Sequence, residues 1–404
     1  MQGFQKYLIE DKNTHLEHLE DEIINNGTQG AKTSIEFLKS IKKMLQGGKG
    51  GSNVSVKWDG APAVFAGTNP ENGRFFVGTK SIFNATPKIN YTVSDISRNH
   101  GGALADKLAV ALKYLPSLGI KGVLQGDLLF TDDKKNAVVG NEKSIVFTPN
   151  TITYAVPATS VDMYNRIRAA KIGIIFHTSY SGKTMRGLKA SFGASVGGLR
   201  QNRNVFFDDA RYKQAQDPGF SKGEEKRFDA IIRMAEGSAY KAGAFIDKIK
   251  KDSGPLSLGV QLKTFFNTYI RSGTKIGNAK VLANNFEVFF RDRLKKEIDG
   301  KKQEKTKEKY KEILEAGMKI LRPNRQGLYF AIATYITLQT AKSLLLSKLN
   351  QIQSIGSFMR TSTGYKATNP EGYVAINKGN AVKLVDRLVF SQANFNVAKD
   401  WVRG

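Results

Sequence analysis

Lys57-Trp58-Asp59-Gly60 sets a lysine, an acid and a glycine within four residues, directly after Asn53-Val54-Ser55-Val56. A lysine in that setting can be a nucleophile. Its ordinary pKa of ~10.4 keeps it protonated at neutral pH, whereas burial and nearby cations favour the neutral amine that attacks phosphorus. Asp59 is suited to orient such an amine, and Gly60 lets backbone approach a ligand closely. The residues that follow, Ala63-Val64-Phe65-Ala66, are again apolar, so the motif is expected at a turn between two buried strands. A surface hairpin with Asp-Gly as its turn would use the same four residues.

Four further segments carry unusual residues in apolar, strand-like surroundings. Asp127 stands inside Leu124-Gln125-Gly126-Asp127-Leu128-Leu129-Phe130, and Ile172-Gly173-Ile174-Ile175-Phe176 ends in an aromatic. Glu371-Gly372-Tyr373-Val374 brings a second acid, and Val382-Lys383-Leu384-Val385 a second lysine. Charged groups in such strands are costly unless paired, metal-bound or lining a cleft. A structural ion pair accounts for any one of them; the set points to an anion site that needs a divalent ion.

The order of these pieces resembles the ATP-dependent polynucleotide ligases of the covalent nucleotidyltransferase superfamily, in a phage-like style around Val77-Gly78-Thr79-Lys80-Ser81. The resemblance implies an antiparallel-sheet, ATP-grasp-like ligase core. It implies that Lys57 forms a lysyl-AMP, with Asp59 and Gly60 in the nucleotide site. Asp127 would hold the ribose or a metal, Phe176 would stack on adenine, and Val374 would pack on its other face. Glu371 would position Mg²⁺ or Mn²⁺, Lys383 would contact the α-phosphate, and Arg74 and Lys80 would contact ribose and end phosphate. ATP is then the substrate, retained as covalent AMP. The chain departs from the family in three places: Ala61-Pro62-Ala63 stands where an arginine is common, His177 where an acid often follows the aromatic, and Val385 where a second lysine is expected.

The elements that must position these residues are legible in outline. Residues 1–46 read as a helical segment, with Ile35, Leu38, Ile41 and Leu45 at three-to-four spacing, ending in Gly47-Gly48-Lys49-Gly50-Gly51-Ser52. An α+β pattern follows: strands at 53–66, 74–79, 121–130, 144–155 and 171–177, and a helix through 103–115. The nucleotidyltransferase core is expected over 53–207 and 367–404, with strands returning at 370–390. Between them, 208–366 reads as a large inserted all-helical domain with helices at 224–251, 257–271, 278–298, 301–321 and 327–349. Pro255, Gly273, Gly300 and Pro323 separate these helices.

Charge indicates the partner. The 404 residues carry a net charge of +26, and 208–366 holds 31 basic against 17 acidic residues. Such an excess attracts nucleic acid through its phosphates whatever the sequence. Lys183, Arg186, Lys189, Arg200 and Arg203, interleaved with glycine and serine and with no acid, read as a loop contacting phosphates. The six lysines of Lys301 to Lys311 read as a solvated helix face. So do His15 and His18 beside Glu17 and Glu20, which lack a third metal ligand. Ser181-Gly182-Lys183-Thr184 imitates a phosphate-binding loop but lacks its first glycine, at His177.

The absence of cysteine excludes disulfides and thiolate sites. With no apolar run long enough to span a bilayer and no leader-like start, the expected location is cytoplasmic, the host cytoplasm for a phage-encoded chain. Only 17 residues follow Arg387, too few for the OB-fold domain of many DNA ligases, which favours RNA ends over DNA. The expected partner is nucleic acid with 5′-phosphate and 3′-hydroxyl ends, with no membrane and no obligate protein partner. Three alternatives compete: a DNA nick ligase without an OB domain, a capping-type guanylyltransferase, and a non-enzymatic basic nucleic-acid-binding protein.

Overall fold

The computed structural model describes residues 17–46, 52–139, 141–210, 219–250, 254–350, 356–361, 364–367, 372–377 and 380–388. The fold is mixed α+β, mostly antiparallel sheets joined to a helical region. Helix α1 (Glu22–Leu45) follows a short turn at Leu19–Asp21 and buries the predicted stripe of Ile35, Leu38, Ile41 and Leu45. It kinks at Gly27, whose φ of 60° and contact with Asp247, 2.2 Å from where a Cβ would stand, admit only glycine without strain.

Three sheets follow. β1 (Ser52–Lys57), β13 (Gly372–Asn377) and β14 (Asn380–Leu384) form a small antiparallel one in the order β1-β13-β14. The largest has the order β10-β8-β4-β2-β3: β2 is Ala63–Thr68, β3 Phe75–Gly78, β4 Val123–Phe130, β8 Ile172–Ser181 and β10 Val205–Asp209. The β10–β8 pair is parallel, and the short β9 (Lys189–Phe192) adds to β8. The third sheet runs β12-β11-β7-β6-β5, built from β5 (Lys135–Val139), β6 (Glu142–Phe147), β7 (Ile152–Pro157), β11 (Gly356–Thr361) and β12 (Gly364–Ala367). The strand expected over 144–155 is thus a β6–β7 hairpin, and part of the basic stretch expected as loop at 181–203 is strand.

Helices α2 (Val93–Asn99) and α3 (Gly102–Tyr114) cover one face of the large sheet, Leu108 and Ala111 packing on Leu124, Leu128, Ile174 and Phe176. On the other face Leu129, Phe130 and Ile175 meet Phe147, Tyr154 and Val156 of the third sheet and Ile167 of α4 (Val161–Ala169).

The helical region comprises α5 (Lys222–Ile249), α6 (Leu258–Arg271), α7 (Ala279–Asp299), α8 (Glu304–Leu321) and α9 (Arg325–Asn350), within a few residues of the helices read from periodicity. Side-chain caps start several of them: a Ser221–Glu224 capping box on α5, Ser257 on α6 and Asn278 on α7. These helices lie between β10 and β11 in the chain but share one apolar core with α1 and with Val54, Tyr373, Ala375, Val382 and Leu384 of the small sheet. Among the described residues no helix is long and apolar enough to cross a membrane.

A buried ionic network seals this junction. Glu20, fully buried, accepts two hydrogen bonds of 2.7 Å from Lys342 on α9. Arg387 donates to Asp21 at 3.0 Å and to the Tyr335 hydroxyl at 2.6 Å, and Tyr335 in turn stacks on Phe266 with ring centroids 4.1 Å apart. The solvated helix face expected for His18 and Glu20 is therefore corrected. His18 Nδ1 is buried without a hydrogen-bond partner, and burial together with Arg387, Lys342, Lys383 and Lys263 holds the ring well below its ordinary pKa. The reason is tertiary: α9 and the C-terminal stretch cover a segment whose sequence is polar. His15 lies outside the described residues.

Candidate active site

Strand alternation decides which side chains meet. In the small sheet Val54, Val56, Tyr373, Ala375, Val382 and Leu384 pack on the helices. The intervening residues Lys57, Val374 and Lys383 therefore share the opposite face. Lys57 is in register with Gly372, and Val374 with Lys383. Two strand spacings and a two-residue offset put the Lys57 and Lys383 Cα atoms roughly 12 Å apart, and all three side chains are half-buried. Glu371, the expected metal ligand that precedes Gly372, lies outside the described residues.

The segment after Lys57 ties this sheet to the large one. Val56 N donates to Ala210 O at 2.7 Å just beyond β10, and Ala61 N donates to Leu128 O at 3.0 Å on β4. Between these anchors the Lys57-to-Gly60 stretch passes β8. Gly60 sits against β4 so closely that a Cβ would lie 2.5 Å from Asp127 Cβ. Its freedom from a side chain serves the approach of Lys57's loop to Asp127, a protein contact where a ligand contact was expected.

Asp127 lies on the same face of the large sheet as Ile175, its register partner, and Asp208 of β10 is paired with Ile175 from the other side. His177, two residues on from Ile175 and the extra residue of a bulge in the β4–β8 pairing, shares this face, with Nε2 3.6 Å from Asp127 Oδ1, the two side chains 27% and 22% exposed. His177 Nδ1 is 2.8 Å from Thr178 Oγ1. Lys107 of α3 approaches from the edge, 3.4 Å from the Ala61 carbonyl and 3.8 Å from Asp133. His177, Asp208 and Lys107 were not singled out as site residues. In the sequence His177 stands out only as a departure from the ligase pattern, and nothing local marks Asp208 or Lys107.

Three expected nucleotide contacts are placed elsewhere. Phe176 is fully buried among Leu108, Leu115 and Leu128, on the face covered by α2 and α3, because the two-residue period of β8 turns it away from Asp127. It does not offer a ring to a base beside Lys57. Arg74 is exposed in the β2–β3 turn over the Tyr91 ring, 4.4 Å from its centroid, at the opposite end of β2 from the Lys57 loop.

Asp59 is buried, and its carboxylate accepts from Asn150 Nδ2 at 2.8 Å, Thr151 N at 2.6 Å, Thr151 Oγ1 at 2.7 Å and Ile152 N at 2.7 Å. Its lone pairs are committed to the turn that opens β7, so it shapes the loop that carries Lys57. Asp59→Ala is expected to destabilise the protein by about 3 kcal/mol, because several donors lose their partner in the interior. Urea unfolding measures this; a variant of unchanged stability that no longer reacted with nucleotide would return Asp59 to the ligand site.

The basic candidates divide by position. Lys80 is exposed two residues past Gly78, the partner of Phe65, and so lies at the same end of the sheet as Ala63 and Asp127. Lys183 and Arg186 are exposed in the turn after β8, where Met185 N donates to Glu71, at the Arg74 end. Lys189 is exposed on β9, Arg200 lies against Gly119, and Arg203 is exposed in the turn before β10. These five do not form one surface with Lys57. Among the described residues no three His, Asp or Glu side chains converge as a metal cage.

A family model matches residues 13–399, and the chain belongs to that family, a family of unknown function designated DUF6267. No curated protein and no solved structure matches it.

Proposed function

We propose that this protein is a covalent nucleotidyltransferase that takes AMP from ATP onto Lys57 and uses it to join polynucleotide ends. The observation that carries the reading is the register of the small sheet, in which Lys57, Val374 and Lys383 occupy one face while Gly60 packs on Asp127. Segments more than 300 residues apart in the chain supply these residues, and their convergence supports the reading although Phe176, Arg74 and Asp59 lie elsewhere.

In this reading the Lys57 Nζ lone pair forms a P–N bond to the α-phosphorus. The α–β P–O bond breaks, pyrophosphate departs with the bonding electrons, and the amine loses its proton to solvent. Lys383 offsets the charge that develops on the phosphate oxygens, where a fixed cation is most effective. Val374 offers an apolar surface to the base. Phe176 has no part, and no other residue is assigned to the second face of the base. AMP then passes to a 5′-phosphate, and a 3′-hydroxyl displaces it to complete the joint.

Mg²⁺ fits the residues on limited terms. It commonly uses one or two carboxylates together with phosphate oxygens, and Asp127 and Asp208 flank Ile175 on one face. When bound it would neutralise phosphate charge.

Incubation with α-labelled ATP or GTP and Mg²⁺ tests the reading. Label from ATP, retained through denaturation and released by acid, is the expected result. Label from GTP alone would favour a capping-type enzyme, and no label from either would leave a nucleic-acid-binding protein. Gel joining assays on matched RNA and DNA ends, with nicked duplexes included, then identify the strands sealed.

A further inference from the structure

The helical region contains a groove unrelated to Lys57. It measures about 630 Å³ and lies between α7 and α8, lined by Arg291, Lys295, Leu314, Glu315, Met318, Lys319, Arg322 and Pro323. Four of the eight are cations and one is an acid. Arg291 and Lys295 stand one turn apart on α7; Lys319 and Arg322 stand one turn apart on and just after α8. Neighbours at that spacing are about 5–6 Å apart, so two short rows of positive charge border a floor of Leu314 and Met318.

Ion pairing occupies three of the six lysines in the stretch beside the groove. Lys301, Lys307 and Lys311 are paired with Glu297, Glu304 and Glu308 at 3.2, 2.6 and 2.6 Å. Lys295, Lys319 and Arg322 are exposed and make no ion pair with another described residue. Arg291 reaches only its neighbour Asp292, at 3.4 Å. Lys302, Lys305 and Lys309 of that stretch are also exposed without an ion pair to another described residue, so what sets the groove apart is that its four cations border one concavity.

We infer that the α7–α8 groove grips the phosphodiester backbone of duplex nucleic acid without reading its bases. Concave geometry and parallel rows of unpaired cations suit a chain of phosphates, and release of the counterions condensed on a duplex favours binding. No aromatic ring lines the groove, so it lacks the stacking platform by which single strands are held. Glu315 on the rim repels a strand placed too close to α8. The choice of nucleic acid over other polyanions rests on the function proposed above, and the groove would hold the duplex while the Lys57 site acts on its end.

The test is fluorescence anisotropy with a short labelled DNA duplex of arbitrary sequence, using the full chain. Neutralising K295Q, K319Q and R322Q together should weaken binding about tenfold or more and lower the slope of log K against log salt by roughly 2 to 3, since each phosphate contact contributes ~0.9. K307Q with K311Q should change affinity less than about twofold by the same counterion argument.

Thermal unfolding establishes that the groove variant is folded. Independently, duplex should protect Lys295 and Lys319 of the unaltered protein from an amine-labelling reagent. Unchanged affinity and slope in the triple variant, no protection of these lysines, a preference for single strands, or equal displacement by a polyglutamate of matched charge would each overturn the inference. Labelling of Lys57 by ATP should be the same in the groove variants. Its absence in the unaltered protein would overturn the proposed function and leave the anisotropy result standing.

Discussion

Lys57→Ala should abolish retention of labelled AMP, by at least about 10³-fold, as expected when a covalent nucleophile is removed. The site explains why no neighbour replaces it. Lys383 is two strands away and aligned with Val374, and Lys107 reaches the Ala61 carbonyl from α3, so neither holds the end of β1. Duplex binding should survive, because the groove cations lie on α7 and α8. Lys383→Met should slow labelling by about 10²-fold, the usual effect of losing one group that stabilises developing charge. The two variants together probe convergence. If Lys57→Ala still becomes labelled, the nucleophile is elsewhere; if Lys383→Met labels at the original rate, the shared face has no chemical meaning.

The largest stability effect is expected at the ionic network. Lys342→Met leaves the Glu20 carboxylate in the interior without its ammonium partner and should cost roughly 3–5 kcal/mol, the range for breaking a buried pair from one side. Replacing both, Glu20→Leu with Lys342→Met, should restore much of that loss, since an apolar pair carries no desolvation penalty. The pH dependence has a definite sign. Burial alone would push the Glu20 carboxyl up, but the charges of Lys342 and Arg387 bring it below its ordinary value. Its contribution to stability is thus present above the unfolded carboxyl pKa of ~4.3 and is lost as pH falls through the lower folded value.

In Lys342→Met the sign reverses. An unpaired buried carboxyl has a raised pKa, so the deficit should shrink as pH falls and the group becomes neutral. Denaturant unfolding from pH 7 toward acid measures both curves. A deficit that stays constant across that range would show that Glu20 and Lys342 are not coupled as the geometry implies.

Much of the architecture was legible without coordinates. The five helices of 222–350 follow from apolar stripes at three-to-four spacing and from Pro255, Gly273, Gly300 and Pro323, all local signals. Strands β1, β2, β3, β4 and β8 are legible as short runs rich in apolar residues. The expected strand over 144–155 ran through the turn Thr148-Pro149-Asn150-Thr151, although its Pro-Asn pair is itself a turn signal that separates β6 from β7. The pair β11–β12 was missed inside a stretch read as helical. Of the candidate site, Lys57, Val374 and Lys383 come together on one face, whereas Phe176, Arg74 and Asp59 do not serve it. Their residue types fitted the chemistry, but their orientation depended on which sheet face α3 covers and on what the turn before β7 requires.

By itself the amino-acid sequence determined the period of each element, the concentration of positive charge in 208–366, and the presence of two strand lysines and their companion acids. Tertiary structure alone decided that β13 and β14 return beside β1, that β4 and β8 pair so that His177 meets Asp127, and that polar residues at 18–21 become a buried ionic seal. It also decided that Arg291, Lys295, Lys319 and Arg322 border one groove, while Lys307 and Lys311 pair with glutamates one turn away. The physical reason is range. Hydrophobic periodicity and turn chemistry act over a few residues, whereas register, face and burial depend on what distant segments bring to the same place.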